Sequence, residues 1–391
     1  MPLTLSLCPA ITDVTAVEWD ALVGDDDPFV EHACLAALET SGSVSGEAGW
    51  APCHLLLREA GRLVGVAPLY LKSHSYGEYI FDWGWANAAQ RARVPYYPKL
   101  VCAVPFTPAT GPRLMVLPGR DPEPLRHALA EGLLAAVRAT GAHSVHVLFC
   151  SEAERLALEA AGFLGRLTYQ FHWTNAHPET GRPYEDFDDF VGAFRASDHH
   201  KLRRERRDAA ELGLELVERS AETLTDAEWT VLDQFYRVTA DEKGAIPYLT
   251  SAFFDQLRAQ LPSRVHVNLA LDAGRPVAGA LGFRKGTQLF GRYWGAFDRF
   301  EMLHFELCYY RNIERAIADG LTRFEAGAQG EHKLKRGLLP SATWSAHWIA
   351  DPALARPIAA SLTREREATL AEMAHYLAHS PFRGAAAPTP T

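Results

Sequence analysis

The chain has 391 residues, 48% of them hydrophobic and 10% aromatic, which is enough to bury the cores of two domains. Its formal net charge of −9 excludes a general nucleic-acid binder while leaving room for a local basic patch. The cysteines (Cys8, Cys34, Cys53, Cys102, Cys150, Cys308) have neither CxxC nor metal-ligand spacing, and no apolar run reaches membrane-spanning length. A cytoplasmic, reduced protein with no metal, no tightly bound cofactor and no membrane insertion is therefore expected.

Taken in order, the chain opens with a strand over 3–7 and helices over 15–23 and 31–40. Residues 54–72 form two apolar runs around Ala60-Gly61-Arg62, the pattern of a β-hairpin. An insertion follows, dense in aromatics, prolines and isolated polar residues (79–87, 96–100 and 104–113). It contains Asp82, Trp83, Tyr96, Tyr97, Lys99 and Arg113. Such a segment is either a shaped pocket wall or a proline-locked edge of the core; the first is favoured, which makes those six residues candidate substrate contacts.

A helix over 125–140, Gly141, a strand over 144–149 and a strand over 167–173 end the first domain, and 176–183 reads as a linker. After a helix over 187–194 comes the run 197–208, the main basic cluster of an acidic chain. Arg203 and Arg204 there are candidate phosphate contacts, and a solvated helix is the other reading. Helices over 226–239 and 251–260 lead to a second hairpin, 267–283, again with an Ala-Gly-Arg turn (Ala273-Gly274-Arg275). The helix, single glycine and strand of 125–149 also recur, as 303–326. Two ordered units occurring twice imply a duplicated α+β fold with mixed sheets, domains at 1–178 and 179–379, and a disordered tail over 380–391.

The most informative stretch lies near the end. Leu303, Leu307, Tyr310, Ile313 and Ile317 fall on one helical arc interrupted by Glu306, which must be buried with a partner or open into a cleft. Beyond Gly320 and a strand over 321–326, the run 327–337 packs Gln329, Glu331, His332, Lys333, Lys335 and Arg336 between glycines at a strand's C-terminal edge. A solvated charged loop needs neither the glycines nor the aromatic neighbours, so a site is the preferred reading.

Several segments together (FDWGWANA, YYPKL, AVPFTPATGPR, RRERR, GRYWG, LHFELCYY, FEAGAQGEHKLKRG) resemble the bacterial FemAB-like family, also described as predicted N-acyltransferases and allied to the GNAT superfamily. The resemblance implies two tandem GNAT-like domains facing a shared cleft. It also implies acyl transfer to an amine, with acyl-CoA or aminoacyl-tRNA as co-substrate. The acceptor would be an amine-bearing small molecule or peptide-like group, and the tRNA acceptor end a further partner; oligomeric state does not carry over. The GNAT coenzyme A signature, Q/R-x-x-G-x-G/A, is missing where Trp294-Gly295 meets Leu303.

Amide formation needs a proton acceptor and donors for the developing oxyanion. The candidate acceptors are Glu306, His304, Glu331 and His332. Lys333, Lys335, Arg336, Arg203 and Arg204 are candidates for phosphates, while Arg292, Tyr293 and Tyr309 could line the cleft and Gln329 belongs to the same loop. A different class is also consistent: a non-catalytic GNAT-fold protein binding a phosphate-bearing or peptidoglycan-precursor-like ligand.

Overall fold

The computed structural model describes residues 2–328 and 330–384. Two compact units result. The first comprises the chain up to Tyr169 together with Tyr248–Gln256 and Ala342–Leu370; the second comprises Gln170–Pro247, Leu257–Ser341 and the chain from Ala371 onward.

In the first unit, the helix Pro122–Thr140 is set by its sequence. Asp121 caps the start, Pro122 occupies the first turn, and Gly141 closes the end at φ 69°. Leu125, Leu129, Leu133, Ala136 and Val137 make one face at helical spacing. They bury against Leu55, Leu57 and Val64 of the hairpin and Val145 and Val147 of a neighbouring strand. The strands form a four-stranded antiparallel sheet (Leu3–Cys8, His54–Glu59, Arg62–Ala67, Met115–Val116) and a mixed group. In the latter Ser144–Cys150 pairs parallel to Lys99–Cys102 and antiparallel to Leu339–Ile349.

The second unit is built on an antiparallel meander of Glu215–Ser220, Val265–Asp272, Arg275–Lys285 and Gln288–Ala296. Arg323–Glu325 adds to it in parallel, and residues 172–174 pair antiparallel beyond that. Gly295 is required where the helix Asp226–Glu242 crosses this sheet, because a Cβ there would meet the Phe235 carbonyl oxygen at 2.1 Å.

The two hairpins are the same device. Each turns through an alanine and a glycine at positive φ (Ala60 and Gly61; Ala273 and Gly274). Each also carries one bulged valine in the same register: Val64 lies between the pairs Leu57↔Gly65 and Arg58↔Leu63, and Val277 between Ala270↔Ala278 and Leu271↔Pro276. The fold is α+β, with both parallel and antiparallel strand pairing within each of the two units.

Two expectations need revision. Residues 380–384 are packed, since the Phe382 ring fills a gap beside Phe194 and the Arg383 guanidinium donates to the Phe194 carbonyl. The apolar ring, masked in the sequence by small and polar neighbours, supplies the burial that holds them; 385–391 lie outside the described residues. The aromatic insertion also holds a helix, Trp83–Ala92, whose Trp85 and Ala89 face the core.

Most of the insertion's candidate contacts serve that core. Lys99 Nζ donates to Ser75 Oγ and Glu78 Oε2, each at 2.8 Å, and to Asp82; Tyr96 Oη donates to Asp82 Oδ2 at 2.5 Å. Lys72 completes the group 3.5 Å from Glu78 Oε1, with its ammonium over the Trp50 ring. Both lysines are fully buried. Against the opposing effect of burial, Glu78 and Asp82 hold the Lys99 ammonium above its usual range. Burial pulls Lys72 down to about 7 despite Glu78. Arg113, equally buried, donates to the carbonyls of Ala109, Pro112 and Leu148. Removing one charge from such a network strands the others. Lys99→Ala is therefore expected to cost about 3–5 kcal/mol in urea denaturation, and a loss under about 1 kcal/mol would contradict the assignment.

Candidate active site

The site grows from a helix that is not uniformly α. Residues Leu303–Phe305 run into a π turn, Glu306–Tyr310, before α geometry resumes over Arg311–Ala318. The expected core arc is present, with Leu303, Leu307, Tyr310, Ile313 and Ile317 all buried. A π turn widens the helix by one residue and reorients the side chains within it, a feature frequent at functional sites.

Downstream, Gly320 ends the helix at φ 64° and the short strand Arg323–Glu325 follows. The run expected as a charged loop is a two-turn 3-10 helix, Glu331–Arg336, framed by Gly330 and Gly337 at positive φ. Gly330 is required there, since a Cβ would lie 2.6 Å from the His332 ring.

The two segments meet through aromatic and imidazole rings. Tyr309 Oη lies 3.0 Å from His332 Nε2. The His304 ring is 5.4 Å from Tyr309 and 6.3 Å from His332, and 5.1 Å from Trp294. Burial, then His332 and the nearby cations, lowers His304 to about 4, so its imidazole is neutral at neutral pH. His332, which reaches the surface, is lowered by partial burial and by Arg336 and Lys333. Burial keeps the Tyr309 phenol protonated.

Lys333 is the unusual member. It is 2% exposed and donates to the Gly327 carbonyl at 2.7 Å, and no carboxylate lies within ion-pair distance among the described residues. Burial brings it down to about 8. A buried ammonium without a counter-ion is costly, and sites are where proteins keep one.

Its neighbour Arg336 is paired through both terminal nitrogens, while its buried Nε has no partner among the described residues. Arg336 Nη2 donates to Glu205 Oε1 and Oε2 at 2.9 and 2.8 Å, Nη1 donates to the His332 carbonyl at 2.7 Å, and the guanidinium lies 3.3 Å over the Phe305 ring. Tyr310 Oη donates to the same Glu205 carboxylate at 2.5 Å.

The remaining candidates lie as follows. Glu306 is buried with a partner, accepting a two-pronged bond from Arg206 (Nε 3.1 Å, Nη2 2.9 Å). It therefore stands apart from the His304–Tyr309–His332 group, and Glu331 is exposed. Lys335 is exposed, 3.8 Å from Asp198; Arg203 pairs with Asp188 at 2.9 Å, and Arg204 is exposed. Tyr293 packs on Tyr236, with the half-buried Arg292 beside it. Gln329 lies outside the described residues, and Trp83 is partly exposed beside Tyr76. The sequence reading of 197–208, as phosphate contacts or a solvated helix, did not single out Glu205 or Arg206. The signal was Glu205 itself, a single acid inside RRERR.

The second unit thus brings Tyr309, His332 and the buried Lys333 together on two consecutive segments. The chain belongs to the FemAB-like family, described as peptidoglycan biosynthesis/recognition, whose model matches residues 10–384. No curated protein matches the sequence. Among solved structures, the crystal structure of FemX is similar in fold, with 13% identity and a TM-score of 0.55 over 92% of this chain and 100% of that one. The structure of L-PGS from Bacillus licheniformis is likewise similar, with 12% identity and a TM-score of 0.51 over 88% and 98%. Among the described residues no helix is long and apolar enough to cross a membrane.

The isolation of Lys333 has a measurable signature. The fold favours its neutral form, so stability should rise as pH increases from about 8 towards the ordinary lysine range and should carry the full penalty below about 8. Lys333→Met is expected to be more stable than the wild type at pH 7, by about 1–3 kcal/mol, and to lose that slope. Equal melting of the two proteins at pH 7 would place a counter-ion on Lys333.

Proposed function

We propose that the group of Tyr309, His332 and Lys333 forms an amide by direct transfer of an acyl or aminoacyl group from an activated ester or thioester to an amine. The amine nitrogen attacks the donor carbonyl, and the new C–N bond forms as the bond to the leaving oxygen or sulfur breaks. The electron pair departs with the leaving group, and the amine proton passes to His332. His332 suits that role because its lowered pKa keeps the imidazole unprotonated at neutral pH and it reaches the surface. Tyr309 fixes the ring through Nε2. The Lys333 ammonium answers the negative charge that develops on the carbonyl oxygen.

The observation that carries this reading is Lys333: a buried cation with no carboxylate partner among the described residues, next to a histidine tied to a tyrosine. A peptidoglycan-related amine, small or peptide-like, is the acceptor the family supports. Both donor classes remain to be assayed, acyl-CoA and aminoacyl-tRNA, because the glycine-rich loop that cradles coenzyme A pyrophosphate in GNAT enzymes is missing before Leu303.

Small molecules retained by the purified protein, identified by mass spectrometry, would supply the acceptor, and each donor class would be assayed against it. His332→Ala is expected to lower kcat about 10²–10⁴-fold and Lys333→Ala about 10²–10³-fold, with folding retained. Activity should fall on the acid side below His332's ordinary value of about 6.5. On the alkaline side it should fall near about 8, as Lys333 loses its proton. Full turnover by both variants, or a flat profile from pH 5 to 9, would move the chemistry away from this group.

A further inference from the structure

The four-stranded sheet of the first unit ends in a strand that pairs on one side only. Leu3–Cys8 runs antiparallel to His54–Glu59, and its other side has no backbone partner among the described residues. Such an edge exposes a row of N–H and C=O groups that another strand can pair with, and proteins blunt it by charge, proline or shortness. The other edge strands of this chain are blunted. Met115–Val116 has two residues, Trp50–Pro52 has three and ends in proline, and Glu215–Ser220 carries Glu215, Glu218 and Arg219. Leu3–Cys8 has six residues with neither charge nor proline.

The side chains of this strand add a second property. Leu3, Leu5 and Leu7 alternate with Thr4 and Ser6, so the leucines share one face and the hydroxyls the other. The leucine face is the one the helix Pro122–Thr140 covers. Leu5 lies over Gly132, where a Cβ would stand 2.8 Å from the Leu5 side chain, and Leu7 packs on the core. Cover stops at the edge, where Leu3 and Leu5 are 41% and 42% exposed. The run Leu3-Thr4-Leu5-Ser6-Leu7 reads alike from both ends, leucine for leucine and hydroxyl for hydroxyl. Paired antiparallel with a second copy about Leu5, it sets Leu3 against Leu7, Leu5 against Leu5 and Thr4 against Ser6. A two-fold contact requires such self-complementarity, because the same patch serves both subunits.

We infer that Leu3–Cys8 is an association edge for a second copy of this chain, joining the two four-stranded sheets into one through antiparallel strand pairing centred on Leu5. The two-fold axis stands perpendicular to the sheet. Both copies of the helix Pro122–Thr140 then lie on the same face, and the exposed leucines of the two strands meet beside them. Among the described residues each copy offers one such edge, so the assembly stops at a dimer. A pair of short strands buries less than the roughly 800 Å² per partner of a standard interface, which places the dimer in the micromolar range. The inference goes beyond the transfer reading and does not rest on it, since no residue assigned to that chemistry lies on this strand.

Sedimentation velocity of the full chain between about 1 and 200 µM tests it, and a monomer–dimer equilibrium with a dissociation constant below about 100 µM is expected. Over the same range, amide exchange of residues 3–7 in the wild type should slow at least about twofold. Leu5→Lys sets like charges against each other across the axis and should weaken association at least about tenfold, and Leu5→Glu should do the same. Residue 5 is exposed, so both variants should melt as the wild type does. An equimolar mixture of the two variants should recover the dimer, because opposite charges then face each other. A wild type that stays monomeric at about 200 µM, with unchanged exchange, would leave the edge to a different chain and overturn the inference. It is equally overturned if Leu5→Lys associates as the wild type does, if the mixture associates no better than either variant alone, or if the assembly grows past a dimer.

Discussion

The second unit depends on one buried ion pair, the two-pronged bond between Arg336 and Glu205. It joins residues 131 positions apart, and three segments converge on it. Glu205 comes from the basic helix, Arg336 from the 3-10 turn, and Tyr310 from the π turn, donating its proton to the same carboxylate. A buried pair of this kind adds little net stability, since desolvation offsets much of the attraction. What it supplies is registry. Any shift of the 3-10 turn would strand a charge in the interior and pull the Arg336 guanidinium from the Phe305 ring. The alignment of His332 with Tyr309 follows from that constraint.

The first unit handles buried charge in the opposite way. Lys72, Lys99, Glu78 and Asp82 are two cations and two anions, and they answer one another within the interior. His146 and His347, whose Nδ1 atoms are 2.8 Å apart, are each tied at the other nitrogen to a serine, Ser144 or Ser345, and burial keeps both neutral. Such groups act as scaffold, because their electrostatic demand is met locally. Lys333, buried with no carboxylate partner among the described residues, has unmet demand. Charge balance, rather than the presence of charged residues, separates framework from site here.

Local signals carried much of the fold. The Ala-Gly turns, the 3.6-residue arc of 303–317 and the helix-ending glycines at 141 and 320 each constrain a few neighbouring residues, and each appears in the structure. The partners of the charged residues were not legible, because they are set by folding over long separations. Arg206 reaches Glu306 across 100 positions, and nothing near either residue announces it. The aromatic insertion misled for a related reason. Tyr96, Lys99 and Asp82 have the residue types of a pocket wall, and only their mutual hydrogen bonds turn them inward. On the 3-10 turn, His332, Lys333 and Lys335 belong to one charged run in the sequence. It offered no means to tell the isolated Lys333 from the exposed Lys335.

The π turn at Glu306–Tyr310 has a consequence for lineage. A helix acquires such a turn when one residue is added without unravelling the turns on either side. The surplus residue rotates everything before it relative to everything after it, so Leu303 and Ile313 share the core face although they belong to different phases of the helix. A relative with a plain α-helix here would align with a single-residue gap within 306–310 and would present another side chain where Tyr309 meets His332. That gap would be a marker of descent, separating members that share the Tyr309–His332 contact from those that share only the scaffold.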